Sequence, residues 1–318
     1  MESFSAKRAA ILYNPVARKL SRSQHLLQRT IEALQRQGVE AKLVGTTGPG
    51  SASAQAKKQI ESGCDLIFAA GGDGTINEVA AGMLHSGVPL AIIPAGTANV
   101  LARETRIPID MLASVRDLSK MLPTRVAIGM LRLGAREQRS FLCMAGVGFD
   151  AEIVTQVNLD LKAAVGKLAY YVGGFSQVFR SLPEFDVTVD GKSYTASFAL
   201  ISRVRNYGGD LEIARGASLL RNEFQVVLFR GTHCVQYLPY LAAVSLHFAE
   251  RMKGCKFLYG RSVTCAAKNG EGVMTQVDGE LVGSLPISAE IVPDALTLLL
   301  PAAFVAKERR SMDIRACA

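Results

Sequence analysis

Apolar positions follow two different rules along this chain. In the first part, Leu66-Ile67-Phe68-Ala69-Ala70 and Leu90-Ala91-Ile92-Ile93 are strand-length runs that are apolar throughout, the pattern of parallel strands covered on both faces. Ala9–Tyr13 and Val39–Val44 read as further strands. Between them Leu26, Leu27, Ile31 and Leu34 recur at helical spacing and predict a helix over Ser21–Gln37, stopped by Gly38. Helices are also predicted over Ser51–Ser62 and Ile76–Leu84, so strands and helices alternate as in a doubly wound α/β sheet. After Met121-Leu122-Pro123 the pattern changes to short β-rich runs: Thr124–Leu133, Arg139–Met144, Phe185–Val189, Tyr194–Ser202, Gln225–Phe229 and Ser262–Ala266. Turn signals such as Asp190-Gly191 separate them, which predicts an antiparallel β-sandwich. Two helical insertions, near Asp150–Leu182 and Val235–Met252, interrupt it.

The predicted fold is therefore α/β plus β: a nucleotide-binding α/β domain over 1–123, a β-sandwich substrate domain over 124–290, and a segment 291–318 that closes the sandwich or returns to the first domain. At 318 residues and 49% hydrophobic content the chain can bury two cores. Six cysteines lie without metal-site spacing and read as free thiols. The N-terminal residues lack a secretory apolar region, and Ala295–Ala306 is too short and is broken by Pro301, so export and a membrane span are not expected. A net charge of +8 suits nucleic acid, anionic lipid or a phosphorylated ligand. No nucleic-acid signature favours the first.

Two Gly-rich turns carry the chemistry. Gly71-Gly72-Asp73-Gly74-Thr75 and Pro94-Ala95-Gly96-Thr97-Ala98-Asn99 each follow one of the fully apolar strands. The carboxyl ends of such strands are where open α/β sheets bind ligands, and glycine lets backbone N–H groups approach a phosphate.

The ordered set of motifs resembles the diacylglycerol kinase catalytic-domain family, which includes sphingosine and ceramide kinases and bacterial lipid kinases. The resemblance covers nearly the whole chain. It rests on Asn14-Pro15, Thr46 before Gly48-Pro49-Gly50, the two glycine turns with Val100-Leu101-Ala102-Arg103, Gly146-Val147-Gly148-Phe149-Asp150-Ala151, Tyr207-Gly208-Gly209 and Val277-Asp278-Gly279-Glu280. It implies transfer of the γ-phosphoryl group of ATP, with Mg²⁺, to a lipid hydroxyl at the cytoplasmic face of a membrane. Gly71, Gly72, Gly74, Thr75, Gly96 and Thr97 are then expected to cradle the phosphates, with Asn14, Thr46 and Asn99 on the rest of the nucleotide. Asp73 and Glu280 are expected metal ligands. Asp278 is the expected general base and Asp73 the alternative, while Asp150 and Arg103 are substrate-side candidates.

Plainer readings stand beside these. Asp278-Gly279 is a good type I′ hairpin turn in its own right, and Asp150 suits a helix cap. Leu159–Phe179, with Lys162, Lys167 and Arg180 among apolar residues, reads as an amphipathic cationic segment for a membrane surface or as a packed helix. Three positions depart from the family pattern: Val100 replaces an aspartate, Arg221-Asn222 replaces the Asp-Gly of a structural metal site, and Ala17-Arg18 replaces Ser-Gly. A kinase of a soluble alcohol such as NAD, or a nucleotide- or lipid-binding protein without catalysis, are the competing functions. A homodimer is expected on general frequency alone.

Overall fold

The computed structural model describes residues 4–17, 19–20, 25–134, 137–151, 181–208, 211–233, 236–268 and 272–316. The predicted Leu159–Phe179 segment, most of the 150–182 insertion, and Arg18 lie outside these residues. The chain forms two compact units, one of residues 1–128, 218–220 and 293–318, the other of residues 129–217 and 221–292.

The first unit contains β1 (Arg8–Tyr13), α1 (His25–Gln35), β2 (Glu40–Gly45), α2 (Ser51–Glu61), β3 (Leu66–Gly71), α3 (Asp73–Met83), β4 (Leu90–Pro94), α4 (Val100–Glu104) and α5 (Met111–Val115). Strands β2, β1, β3 and β4 lie side by side in that order, all parallel. The chain thus steps from β1 outward to β2 and returns to the other side at β3, so the strand order reverses between β1 and β3. That reversal is where a doubly wound sheet opens a crevice at its carboxyl edge. Every residue of β3 and β4 is buried, as their unbroken apolar runs require. Ile11, Phe68, Ile93, Leu27, Leu34 and Leu299 share the core on one face of the sheet.

In the second unit come β5 (Met121–Leu133), begun in the first, then β6 (Glu137–Phe141), β7 (Met144–Gly148), β8 (Phe185–Val189), β9 (Lys192–Ala196), β10 (Phe198–Ser202), β11 (Asn206–Tyr207), β12 (Leu211–Glu212), β13 (Phe224–Phe229), α6 (Tyr237–Ser245), β14 (Cys255–Gly260), β15 (Ser262–Ala267), β16 (Met274–Val277) and β17 (Glu280–Ser284). One antiparallel sheet runs β14-β13-β10-β7-β16-β17. It faces strands β15, β8 and β9 across a core of Phe141, Val147, Phe185, Phe224 and Val263. The expected β-sandwich is present.

The last strand is β18 (Ile287–Pro301). Its first half pairs antiparallel with β15, and its second half pairs parallel with β4 through Leu298 and Leu90. Helix α7 (Ala302–Ala316) follows, and Glu308 accepts a 2.6 Å hydrogen bond from Ser218 within the first unit.

Candidate functional site

The candidate site residues of the first unit gather at the carboxyl edge of its sheet. Asn14 follows β1 and donates its backbone N–H to Ala70 of β3, while its amide reaches the Thr75 hydroxyl at 3.4 Å. Thr46 follows β2 and is held by its backbone N–H on Tyr13. Helix α3 begins inside the glycine turn, at Asp73, and no side chain caps its first turn. An uncapped helix start presents unpaired N–H groups and the positive end of the helix dipole, the arrangement that binds phosphate.

The two turns are stitched together. Gly71 O accepts from the backbone N–H groups of both Ala95 and Gly96. Gly96 lies so close to Gly72 that a Cβ on it would stand 2.4 Å from Gly72 Cα, and a Cβ on Gly71 would stand 2.6 Å from the Thr75 side chain. These glycines are therefore demanded by backbone approach. Asn99, in the left-handed region at φ 50°, accepts from Gly96 N–H and donates to Gly96 O, both at 3.0 Å. It is also buried, so its side chain braces the turn. Thr97 at the tip is exposed.

Asp73 joins the turns from the other side. Its carboxylate accepts from the backbone N–H groups of Val100 at 3.1 Å and Leu101 at 3.2 Å. Burial raises its pKa above the ordinary carboxylate range, against the pull of those N–H donors. Lys19 was not singled out in the sequence. Its ammonium donates to Ile109 O at 2.7 Å and Pro94 O at 3.3 Å, and burial lowers its pKa, with Asp110 opposing and Arg103 adding to the fall. Arg103 is exposed and its Nε holds Ala98 O at 3.0 Å. Two cations thus flank the second turn. A lysine five residues after Asn14-Pro15's asparagine was the available signal.

In the second unit, Asp278-Gly279 forms the predicted hairpin turn between β16 and β17, both residues at positive φ (47° and 88°). The turn does more than reverse the chain. Asp278 Oδ1 accepts from Cys143 and Met144 N–H at 3.1 and 2.8 Å, Oδ2 accepts from Leu142 N–H at 3.1 Å, and Asp278 N–H donates back to Met144 O. Glu280 begins β17 and is exposed.

Asp150 is fully buried, with Oδ2 accepting from Gln276 Nε2 at 2.7 Å. A Cβ on Gly146 would stand 1.5 Å from that oxygen, and Gly148 at φ 74° packs against Ser197 O and Phe185. The Gly-Val-Gly-Phe-Asp pattern is thus the space its aspartate occupies. Burial raises the Asp150 pKa from 3.8 to about 6, with the Tyr207 hydroxyl and Gln276 favouring the anion. Between those values the native state carries a proton that the unfolded chain has lost, so this contribution to stability is present below about pH 3.8 and lost as pH rises through about 6. Asp150→Asn is expected to raise unfolding free energy by about 2–3 kcal/mol above pH 7 and by little near pH 4. Denaturant titrations at the two pH values check this; an equal effect at both would contradict the buried anion.

A second residue missed in the sequence is Arg203. Its guanidinium is buried, donates to the carbonyls of Arg221 and Glu223, and is brought down to about 10 by desolvation with Glu223 opposing. The loop that departs from the family pattern at Arg221-Asn222 is therefore tied through its carbonyls by a fixed cation. Among the described residues no three His, Cys, Asp or Glu side chains converge as a metal site. The hard oxygen donors of Asp73, placed between the two glycine turns, nevertheless fit a Mg²⁺ that arrives with nucleotide phosphates and needs only one or two protein carboxylates.

Residues 8–131 match the model of the diacylglycerol kinase catalytic domain, and residues 143–300 match the YegS C-terminal NAD kinase beta sandwich-like domain. A diacylglycerol kinase of Bacillus subtilis (strain 168) is 31% identical over 288 residues, spanning 88% of this chain and 92% of that protein. A diacylglycerol kinase of Staphylococcus saprophyticus is 27% identical over 290 residues, spanning 88% of this chain and 91% of its own. The crystal structure of a diacylglycerol kinase from Bacillus anthracis str. Sterne shares the fold, with a TM-score of 0.74 at 21% identity over 94% of this chain and 99% of that one.

Proposed function

The chain belongs to the diacylglycerol kinase family and is a kinase with an alcohol acceptor, and on that premise we propose that it transfers the γ-phosphoryl group of ATP to a hydroxyl of a diacylglycerol-like or sphingoid lipid at a membrane surface. The observation that carries the nucleotide half is the pair of abutting glycine turns beside the uncapped start of α3. Phosphoryl transfer asks the protein mainly for positioning and charge neutralisation. The N–H groups of the α3 start, the Thr75 and Thr97 hydroxyls and the Lys19 and Arg103 charges supply both. Asp73 would hold Mg²⁺, which neutralises phosphate oxygens when bound.

Asp278 is the proposed base that accepts the proton of the attacking hydroxyl, its carboxylate oriented by the Leu142–Met144 backbone. Asp73 is the alternative, and the pH profile separates them. With Asp73 as base, the acidic limb of kcat/KM lies above the ordinary carboxylate range, because burial raises that group. Asp150 and its Gln276 and Tyr207 partners form the proposed substrate-side group.

The test is ATP consumption by the purified full chain with Mg²⁺, measured with and without dispersed lipid. Lipid-stimulated turnover is expected. Turnover that needs only a soluble alcohol would move the assignment to the NAD kinase-like reading, and nucleotide binding without turnover on any acceptor would leave a binding protein.

A further inference from the structure

We infer that the outer face of α6 and the turn that follows it form a docking surface for an anionic lipid bilayer. The inference rests on the lipid-kinase reading for its purpose, but its evidence is separate.

Helix α6, Tyr-Leu-Pro-Tyr-Leu-Ala-Ala-Val-Ser, contains no charged residue. Its inner face, Tyr237, Tyr240, Ala243 and Val244, is buried. The Tyr237 ring lies 4.6 Å from that of Phe149, the neighbour of buried Asp150, and the Tyr237 hydroxyl meets Ser197 Oγ at 2.8 Å. Tyr240 packs at 5.2 Å on Phe229 and donates to Arg230 O at 2.8 Å. The helix is therefore fixed from within, beside the proposed substrate-side acid.

Its outer face is where a water-facing helix carries polar residues. Here Leu238 is 39% and Leu246 70% exposed, eight positions apart and so on one stripe, with exposed Ala242 between them. The chain then turns through His247 at φ 63°, closed by Phe248 N–H on Ala243 O, and leaves Phe248 42% exposed. A helix ending in a left-handed histidine without glycine pays for a defined exit, and that exit places a third large apolar side chain in water.

Charge selects the occupant. Arg251 and Lys253 are exposed after this turn, against one acid, Glu250, in residues 237–254. Gly254, next to Lys253, is held so close to Tyr240 that a Cβ would stand 2.3 Å from its hydroxyl, which keeps that cation beside the helix. A second copy of the chain would bring the same cations against this face. Anionic headgroups neutralise them, while the acyl boundary accepts the leucines and the phenylalanine. Each basic residue near such a surface contributes about 1 kcal/mol, so attachment of this size is reversible.

The experiment uses the full chain and its Leu238→Ser/Leu246→Ser variant, sedimented with phosphatidylcholine vesicles with and without phosphatidylglycerol. The wild-type chain is expected to sediment with the phosphatidylglycerol vesicles, and the variant to bind them about tenfold more weakly. In detergent micelles that present lipid without a bilayer, the two are expected to phosphorylate equally. Equal vesicle binding by the two chains, or binding of the wild type that ignores phosphatidylglycerol, overturns the inference. So does a wild-type dimer in analytical ultracentrifugation that becomes monomeric in the variant, which makes the face a contact between copies. Absence of lipid phosphorylation by the wild type in micelles, with vesicle binding intact, overturns the kinase reading and supports the docking surface.

Discussion

Alanine at Asp278 is expected to remove turnover and stability together. Three backbone N–H groups, from Leu142, Cys143 and Met144, close on its carboxylate, and Leu142 and Cys143 are buried. Stripping the acceptor leaves those donors unpaired and places alanine at a positive φ. The combined cost is roughly 3–5 kcal/mol. Loss of the base lowers phosphoryl transfer by about 10²–10⁴-fold on top of this. Asparagine separates the two effects. It keeps one acceptor oxygen but turns an amide NH₂ toward a donor, so part of the stability is lost and nearly all the turnover. The two readouts are denaturant unfolding and single-turnover transfer, with ATP affinity as a control that neither variant is expected to move far. An alanine variant as stable as wild type would refute the structural role, and an asparagine variant with full turnover would pass the base role to Asp73.

Gly96→Ala is expected to weaken ATP binding by about 10²-fold, since displacement of a positioning element by about 1 Å is worth that much. The added carbon would stand 2.4 Å from Gly72 Cα and 3.1 Å from Asn99 Oδ1. Both neighbours are braced: Asn99 by its paired bonds to Gly96, and the first turn by Gly71 O and Asp73. Relief therefore comes only by spreading the two turns, which breaks the cradle. Gly272→Ala is the control, because Gly272, like Gly96, is outside the left-handed region but has nothing within 4 Å of the added carbon. Isothermal titration with ATP is expected to show the loss in the first variant alone. Unchanged affinity in Gly96→Ala would remove the second turn from the nucleotide site.

Local pattern carried the elements whose burial is decided locally. β8 falls where Phe185, Val187 and Val189 alternate inward with Asp186 and Thr188 outward, and β3 and β4 follow their unbroken apolar runs. The misplacements have long-range causes. The β-rich run Tyr194–Ser202 predicts a single strand, but the chain breaks at Ser197, whose hydroxyl serves Gly231 and Tyr237. The helix predicted over Val235–Met252 ends at Ser245 because His247 takes the left-handed position usually signalled by glycine. The helix expected from Ile76 starts at Asp73, since residues in a first turn need no intrahelical N–H partner and so tolerate glycine. β14 has no clear strand pattern in the sequence, because lysine and tyrosine interrupt a short run.

The same division holds for the site. The glycine turns are legible from the apolar strands they follow and the hairpin at Asp278-Gly279 from its turn residues, whereas Asp150 enters through the family resemblance. The partners that explain them are not legible: the donors on Asp278 lie 134 to 136 residues away, and Gln276 lies 126 from Asp150. Lys19 and Arg203 act on carbonyl oxygens, which every residue carries, so no side-chain motif announces them.

The destination of the γ-phosphate of ATP decides the function. The decisive measurement is transfer of radiolabel from γ-labelled ATP, with Mg²⁺, into lipid extracted from mixed micelles of diacylglycerol, monoacylglycerol, sphingosine or ceramide. Label in the extracted product of one of these lipids, absent when ATP labelled in the α-phosphate is used instead, is the expected result. Label that stays in the aqueous phase with all four lipids, from a chain shown to bind ATP, would contradict it.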